Sequence, residues 1–175
     1  MDKLTPEKRS WNMSRIKSKN TTPELIIRSI LHRNGLRFRL HAKNLPGKPD
    51  IVLPKYKTVI EVRGCFWHQH QDCREGKIPK TRYEWWKEKL LANQERDQRH
   101  TQELLRLNWN VLIIWQCFLK WSKSEDSIKN TVMTAIKKLS LKIEPPKVCE
   151  INTYGNLVMQ RSLKQRKNIQ TDKIP

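Results

Sequence analysis

Pro49-Asp50-Ile51-Val52-Leu53, a tight connection at Pro54-Lys55, and Thr58-Val59-Ile60-Glu61-Val62 decide how this chain folds. Two short apolar, β-branched runs joined by turn residues read as a β-hairpin. Its adjoining strands end in carboxylates, Asp50 and Glu61, which can converge on one hard cation. Val62, between Glu61 and Arg63, can add its backbone carbonyl. Oxygen ligands with several retained waters suit Mg2+, and a cation there stabilises charge that builds on a phosphate oxygen under attack. An isolated Asp and Glu at this spacing are also commonplace as a turn residue and a solvated strand residue. Their surroundings therefore carry the reading.

Working outward, Leu36-Arg37-Phe38-Arg39-Leu40 alternates with period two and predicts a half-buried strand before the hairpin. Thr21-Thr22-Pro23-Glu24 opens a helix with apolar Leu25, Ile26, Ile30 and Leu31 and a stop at Gly35. Ahead of it, Thr5-Pro6-Glu7 predicts a basic helix to about Lys19. Downstream, Thr81-Arg82-Tyr83-Glu84 reads as a capping box for a long helix to about Leu107, ended by Asn108. Asn110 to Trp115 is the most apolar strand and is expected to be central, with Cys117 closing it. A last helix, about 125–139, precedes Pro145-Pro146, and a hairpin is expected around Thr153-Tyr154-Gly155-Asn156. The order predicts an α/β sandwich, a small mixed sheet flanked by helices. Its strand order and the Asp50…Glu61-Val62-Arg63 pattern recur in the restriction-endonuclease-like nuclease core.

Composition narrows the partner. Among 175 residues, 36 Lys+Arg oppose 17 Asp+Glu, a formal net charge of +19. Such a surplus repels itself and calls for an acidic partner. Nucleic acid fits best, because each neutralised phosphate releases a condensed counterion; plain solubility or a ribosome-associated role are the blander readings. No segment pairs a basic face with a continuous apolar one, and no apolar run approaches the roughly 20 residues of a membrane span. Met1-Asp2-Lys3-Leu4-Thr5-Pro6 has no apolar core, so the expectation is a cytoplasmic protein with no secretory signal.

Four cysteines, Cys65, Cys73, Cys117 and Cys149, stand in this reducing setting as metal ligands rather than disulfides. Cys65-Phe66-Trp67-His68-Gln69-His70-Gln71-Asp72-Cys73 can supply two thiolates and one imidazole, and Cys117 a third thiolate. That makes a closed, structural Cys3His zinc site. Spacing alone leaves His68 and His70 both open. Cys149 lies beyond the Pro-Pro break and is expected to be a free thiol.

Leu45-Pro46-Gly47-Lys48-Pro49-Asp50, Gly64-Cys65-Phe66-Trp67-His68 and Asn93-Gln94-Glu95-Arg96-Asp97 together resemble the very-short-patch repair (Vsr) endonucleases. Those bacterial enzymes nick DNA at T·G mismatches left by deamination of 5-methylcytosine. The resemblance runs from about Lys8 to Leu139 and includes Asn12-Met13-Ser14-Arg15-Ile16, Pro79-Lys80-Thr81-Arg82 and Trp109-Asn110-Val111-Leu112. It implies Asp50 as the central Mg2+ ligand with the Val62 carbonyl, and His68 as the base that activates water, a task suited to an imidazole. It also implies Glu24 as an organiser of water at the metal, against the plainer role of capping partner to Thr21. Asp97 is implied as a helix carboxylate oriented towards the site. Zinc falls to Cys65, His70, Cys73 and Cys117, bracing the loop that carries His68. Phe66, Trp67 and Trp86 match an aromatic wedge, with Met13 and Ile16 closing from the opposite groove; core packing is the competing role of each. An apolar wedge tests deformability, because unstacking costs a few kcal/mol and less at a mismatch. Arg15, Lys17, Lys19, Arg82, Lys87 and Lys89 are candidate phosphate contacts.

The chain departs from better-known members in having Glu61 and Arg63 where those carry an apolar residue and a histidine. Arg63 is expected to stabilise charge in that histidine's place, and Glu61 to join the metal ligands. Cys73 stands one residue further from His70 than in those members. The expected organisation is a basic arm that contacts DNA (1–20), a nuclease core (21–140) and a basic, partly disordered extension (141–175). The expected activity is Mg2+-dependent hydrolysis of one phosphodiester beside a T·G mismatch in double-stranded DNA, by a monomer at the bacterial nucleoid. A cytosine-5 methyltransferase and mismatch-repair proteins are its implied functional associates. The alternatives are a restriction-type endonuclease that cuts intact duplex and a non-catalytic zinc-braced DNA-binding protein.

Overall fold

A computed structural model describes residues 5–71, 73–140 and 146–160. Helix α1 spans Pro6–Ser14 and α2 Thr22–Arg33. Strand β1 is Arg39–Leu40, β2 Ile51–Leu53 and β3 Thr58–Arg63. After a long loop come α3 at Tyr83–Arg106, β4 at Asn110–Trp115, α4 at Gln116–Trp121 and α5 at Glu125–Leu139. Strands β5, Val148–Ile151, and β6, Leu157–Gln160, follow. The six strands form one sheet in the order β1-β2-β3-β4-β5-β6. The pairs β3–β4 and β4–β5 are parallel and the others antiparallel, so the sheet is mixed.

Alternation along the strands sorts the core into two layers. Ile51, Leu53, Ile60, Leu112, Ile114, Cys149 and Ile151 face α2 and α5, meeting Ile27, Ile30, Leu31, Val132 and Ile136. Val52, Val59, Val111, Ile113 and Val148 face the other way, where α3 contributes Leu104. Fully buried isoleucines and leucines such as Ile60, Leu112 and Ile114 each contribute about 1.5–3 kcal/mol of transfer free energy. The predicted hairpin is present, with Val52 opposite Val59. The expected central strand, β4, lies between β3 and β5.

Several local expectations are corrected. Helix α1 stops at Ser14 rather than near Lys19, because the Ser14 hydroxyl bonds back to the Trp11 carbonyl and Asn20 turns left-handed to enter the Thr21 cap of α2. Ile16 therefore lies beyond the helix that carries Met13. The inward face of α2 is led by Ile27, Ile30 and Leu31, while Leu25 is exposed. The predicted strand 36–40 pairs only at Arg39 and Leu40. Continuing that register would set Arg37 against Pro54, which has no N–H to offer. No capping box forms at Thr81-Glu84: Arg82 is the cap of α3, left-handed, with its guanidinium over the Trp85 ring. Cys117 sits in the first turn of α4 rather than closing β4.

The core does not end at residue 140. β5 pairs in parallel with β4, and Val148, Cys149 and Ile151 are buried. Cys149 is a buried free thiol. The expected disorder of the tail concerns residues 161–175, outside the described residues. Among the described residues no helix is long and apolar enough to cross a membrane.

Candidate active site and metal centre

Strand register lines up one end of the sheet. Leu40 pairs with Ile51 and Ile51 with Ile60, so the next row is His41, Asp50 and Glu61. The His41 N–H reaches the Asp50 carbonyl at 3.5 Å. The Asp50 carboxylate turns towards the neighbouring strand, where its Oδ2 accepts the Val62 N–H at 2.8 Å. The loop that delivers Asp50 depends on Gly47: its φ is +70°, and a Cβ there would meet His100 Nδ1 at 2.8 Å.

Asp50 shares a cleft of about 870 Å³ with Glu24, His41, Glu61, Val62, Arg63, Trp67, His68, Asn93 and Asp97, and Ile16 and Lys19 line its rim. Burial raises the Asp50 carboxyl to about 6; the Val62 N–H and the His68 charge oppose this, and Glu24 and Glu61 add to it. A carboxylate so poorly solvated gains more from a cation than an exposed one would.

His68 comes from the loop after β3 and Asp97 from the middle of α3. His68 Nδ1 lies 2.5 Å from Asp97 Oδ2. Burial pushes Asp97 up, but the hydrogen bond and charge of His68, with Arg63 and Arg96, hold it below the ordinary carboxylate range. An ionised Asp97 only accepts, so His68 Nδ1 carries the proton and Nε2 is left to act on a substrate. Asn93 of α3 donates to the Trp67 carbonyl, fixing the same loop.

Glu24 is nearly fully buried and serves as more than a cap. It completes the capping box with Thr21 and also accepts from Asn20 N at 3.0 Å and Arg28 Nη2 at 2.5 Å. Arg28 Nη2 also reaches His41 Nε2 at 3.2 Å; a guanidinium only donates, so that ring proton sits on Nδ1. Burial, then the Arg28 charge, lowers the His41 imidazole, so it stays neutral. Ligand atoms of Glu24, His41 and Asp50 lie within 4.8 Å of one another. His41 and Arg28 were absent from the sequence reading. Arg28 has a signal, a cation four residues after Glu24 on the inward side of an apolar helix; His41 has none until β1 pairs with β2.

Glu61 and Arg63 share one face of β3 and bond each other. Arg63 Nη2 and Nε reach Glu61 Oε2 at 2.5 and 2.9 Å, and Nη2 also points to Thr101 Oγ1 of α3 at 3.4 Å. Glu61, expected among the metal ligands, and Arg63, expected to stabilise charge, are thus paired with each other in this structure.

The second centre gathers Cys65, His70 and Cys73 from the loop with Cys117 from α4, all buried. Cys117 Sγ lies 3.3 Å and Cys65 Sγ 3.8 Å from His70 Nδ1, and all four ligand atoms fall within 4.8 Å of one another. Bonds of about 2.0–2.3 Å to one tetrahedral ion produce separations of this size. The His70 ring stacks on Trp115 with centroids 4.1 Å apart, and the Trp115 N–H donates to Glu150 Oε1 at 2.5 Å. Thr153, in the β5–β6 turn, touches Cys117 Sγ at 3.2 Å. The Cys117 thiol is lowered by hydrogen bonds from Cys65, His70 and Thr153.

Phe66, Trp67 and Trp86 form an edge-on cluster, with centroids 5.1 Å apart for the two Phe66 pairs and 5.9 Å for the tryptophans. All three are half-buried, Trp85 is more exposed, and Met13 and Ile16 are exposed rather than docked. The six candidate phosphate-contacting cations, Arg15, Lys17, Lys19, Arg82, Lys87 and Lys89, are exposed as well.

Comparison with known proteins supplies the family. A family model described as DNA mismatch endonuclease Vsr matches residues 1–75. The type II nicking enzyme V.XorIIP of Xanthomonas oryzae pv. oryzae is 51% identical over 118 residues, 67% of this chain and 86% of that protein. The DNA mismatch endonuclease Vsr of Escherichia coli strain K12 is 45% identical over 119 residues, 68% of this chain and 74% of that protein. The type II nicking enzyme V.NmeAIP of Neisseria meningitidis serogroup A is also 45% identical over 119 residues, covering 68% and 84%. On these matches the chain belongs to the Vsr family of DNA mismatch endonucleases.

Proposed function

We propose that this chain is a Mg2+-dependent endonuclease on a restriction-endonuclease-like fold. It nicks one strand of duplex DNA beside T·G mismatches arising from 5-methylcytosine deamination. The observation that carries the reading is the cleft that a half-buried, poorly solvated Asp50 shares with a His68 oriented by Asp97.

The hard oxygens of Asp50, with Oδ2 already pinned by Val62 N–H, and the Val62 carbonyl fit Mg2+ and would hold it. The ion, when bound, supplies Lewis-acid stabilisation of the charge that builds on the phosphate. His68 Nε2 takes a proton from the attacking water, while Asp97 holds the imidazole in the tautomer that leaves Nε2 free. The water oxygen bonds to phosphorus, the P–O3′ bond breaks, and the product carries a 5′-phosphate. Thr21 and Glu24 line the same cleft, with Glu24 held by the Asn20 and Thr21 N–H groups and by Arg28. The thiolate-rich donor set at Cys65, His70, Cys73 and Cys117 fits zinc, which would brace the loop from which His68 and the wedge project.

Phe66, Trp67 and Trp86, with Met13 and Ile16 from the other side, would enter the base stack, and the basic surface neutralises phosphates. The acting form in this reading is a monomer. Action at the nucleoid beside a cytosine-5 methyltransferase and mismatch-repair proteins follows from the lesion itself.

The test is a strand-nicking assay on otherwise identical T·G and matched duplexes, with Mg2+ and with EDTA. Preferential, Mg2+-dependent nicking of the mismatch is the expected result. Equal rates on both duplexes would point to a restriction-type enzyme, and no cleavage with intact binding to a non-catalytic DNA-binding protein.

A further inference from the structure

We propose that Glu61, which stands next to Asp50 in the row across the sheet end, is not a ligand of the catalytic cation: its own arginine, Arg63, neutralises it, so the pair adds no net charge beside Asp50. The inference rests on the reading of Asp50 as the metal ligand.

Four carboxylates line the described cleft, Glu24, Asp50, Glu61 and Asp97. Glu24 bonds Arg28 at 2.5 Å, with side chains 4% and 10% exposed. Glu61 bonds Arg63 at 2.5 Å, with side chains 16% and 12% exposed. Asp97 is taken by His68. The Asp50 carboxylate accepts the backbone N–H of Val62, and in the row across the sheet end Asp50 stands between His41, which Arg28 touches, and Glu61. Buried pairs of this kind are locked by their own desolvation: removing one partner strands a charge that solvent cannot reach. The pairing also explains how the chain tolerates a glutamate and an arginine beside a metal site. Neither residue can be introduced alone without adding a charge next to Asp50, whereas together they add none. Thr101, whose hydroxyl donates to the Asp97 carbonyl, offers its oxygen to Arg63 and holds the pair under α3.

The measurement is Mg2+ affinity by calorimetry on the zinc-loaded full chain without DNA, for the parent, Glu61→Gln, Arg63→Met, the double variant and Asp50→Asn. Glu61→Gln leaves Arg63 unpaired beside Asp50 and should weaken Mg2+ by about tenfold or more, the effect of a nearby uncompensated charge. Glu61→Gln/Arg63→Met removes both charges and should bind within about twofold of the parent. If the double variant stays as weak as Glu61→Gln, Glu61 is a ligand and the proposal is overturned. The double variant compared with the parent decides the matter even where Glu61→Gln alone is too unstable to titrate. Asp50→Asn separates the two levels: unchanged binding there defeats the assignment of Asp50 itself, whereas lost binding there with a weak double variant defeats only the neutralisation by arginine.

Discussion

Asp50→Asn should abolish nicking and yet make the magnesium-free protein more stable at neutral pH. Burial holds the folded-state carboxyl near 6, against an ordinary value of 3.8. A carboxylate with a raised folded pKa binds protons more tightly folded than unfolded. Its ionisation therefore costs stability, and the cost grows as pH rises from about 4 through 6. The shift of roughly two units corresponds to about 3 kcal/mol at pH 7, about 1.6 kcal/mol at pH 5 and a few tenths near pH 4. Asparagine carries no charge and can still accept the Val62 N–H, so it should recover most of that amount. The assay is urea denaturation of the zinc-loaded parent and variant without magnesium at several pH values from 5 to 8. The variant's advantage should grow with pH and level off above 6. Added Mg2+ should then close the gap by stabilising the parent alone. A variant no more stable than the parent at pH 7.5, or one whose advantage is flat across the range, would refute the burial argument for Asp50.

Other perturbations probe the remaining parts of the site. His68→Asn should lower single-turnover nicking by roughly 10²- to 10⁴-fold with DNA binding retained, and Asp97→Asn should lower it less, because it disturbs only the hold on Nδ1. Thr153→Val should weaken zinc by about 10- to 100-fold in a chelator competition, through loss of the contact to Cys117 Sγ, and Cys117→Ser should leave the purified protein without its zinc. Trp67→Ala should cut T·G nicking by about 10- to 100-fold, as expected for loss of about 1–3 kcal/mol of stacking, with binding to matched duplex little changed. Ending the chain at residue 146 removes β5 and should prevent cooperative folding, whereas ending it at 160 removes basic residues and should reduce the salt dependence of DNA binding.

Much of the site was legible because its signals are local. Asp50 follows a Pro-Gly-Lys-Pro turn, Cys65 to Cys73 lie within nine residues, and the hairpin that carries Asp50 and Glu61 is closed by a short turn. The apolar runs of β3 and β4 and the cap of α2 are local as well, since residues within a few positions of one another set them. The misreadings occurred where a distant element overrode a local preference. The strand expected over 36–40 was shortened because its partner runs into Pro54. The box at Thr81-Glu84 yielded to Arg82 stacking on Trp85, and the sheet drew in residues past 140 that look like a basic extension in isolation.

The amino-acid order by itself determined the chemical inventory: a basic surface, three thiols and an imidazole spaced for a tetrahedral ion, and a carboxylate and an imidazole suited to hydrolysis beside a hard cation. Only the tertiary structure decided who partners whom. Glu61 turned to Arg63 and Glu24 to Arg28, His41 came to stand beside Asp50, and Thr153 reached back to Cys117. The reason is physical. Residue types and short spacings are carried along the chain, but the choice among charged partners is made by sheet register and by burial, where a low-dielectric interior penalises every charge left without a neighbour.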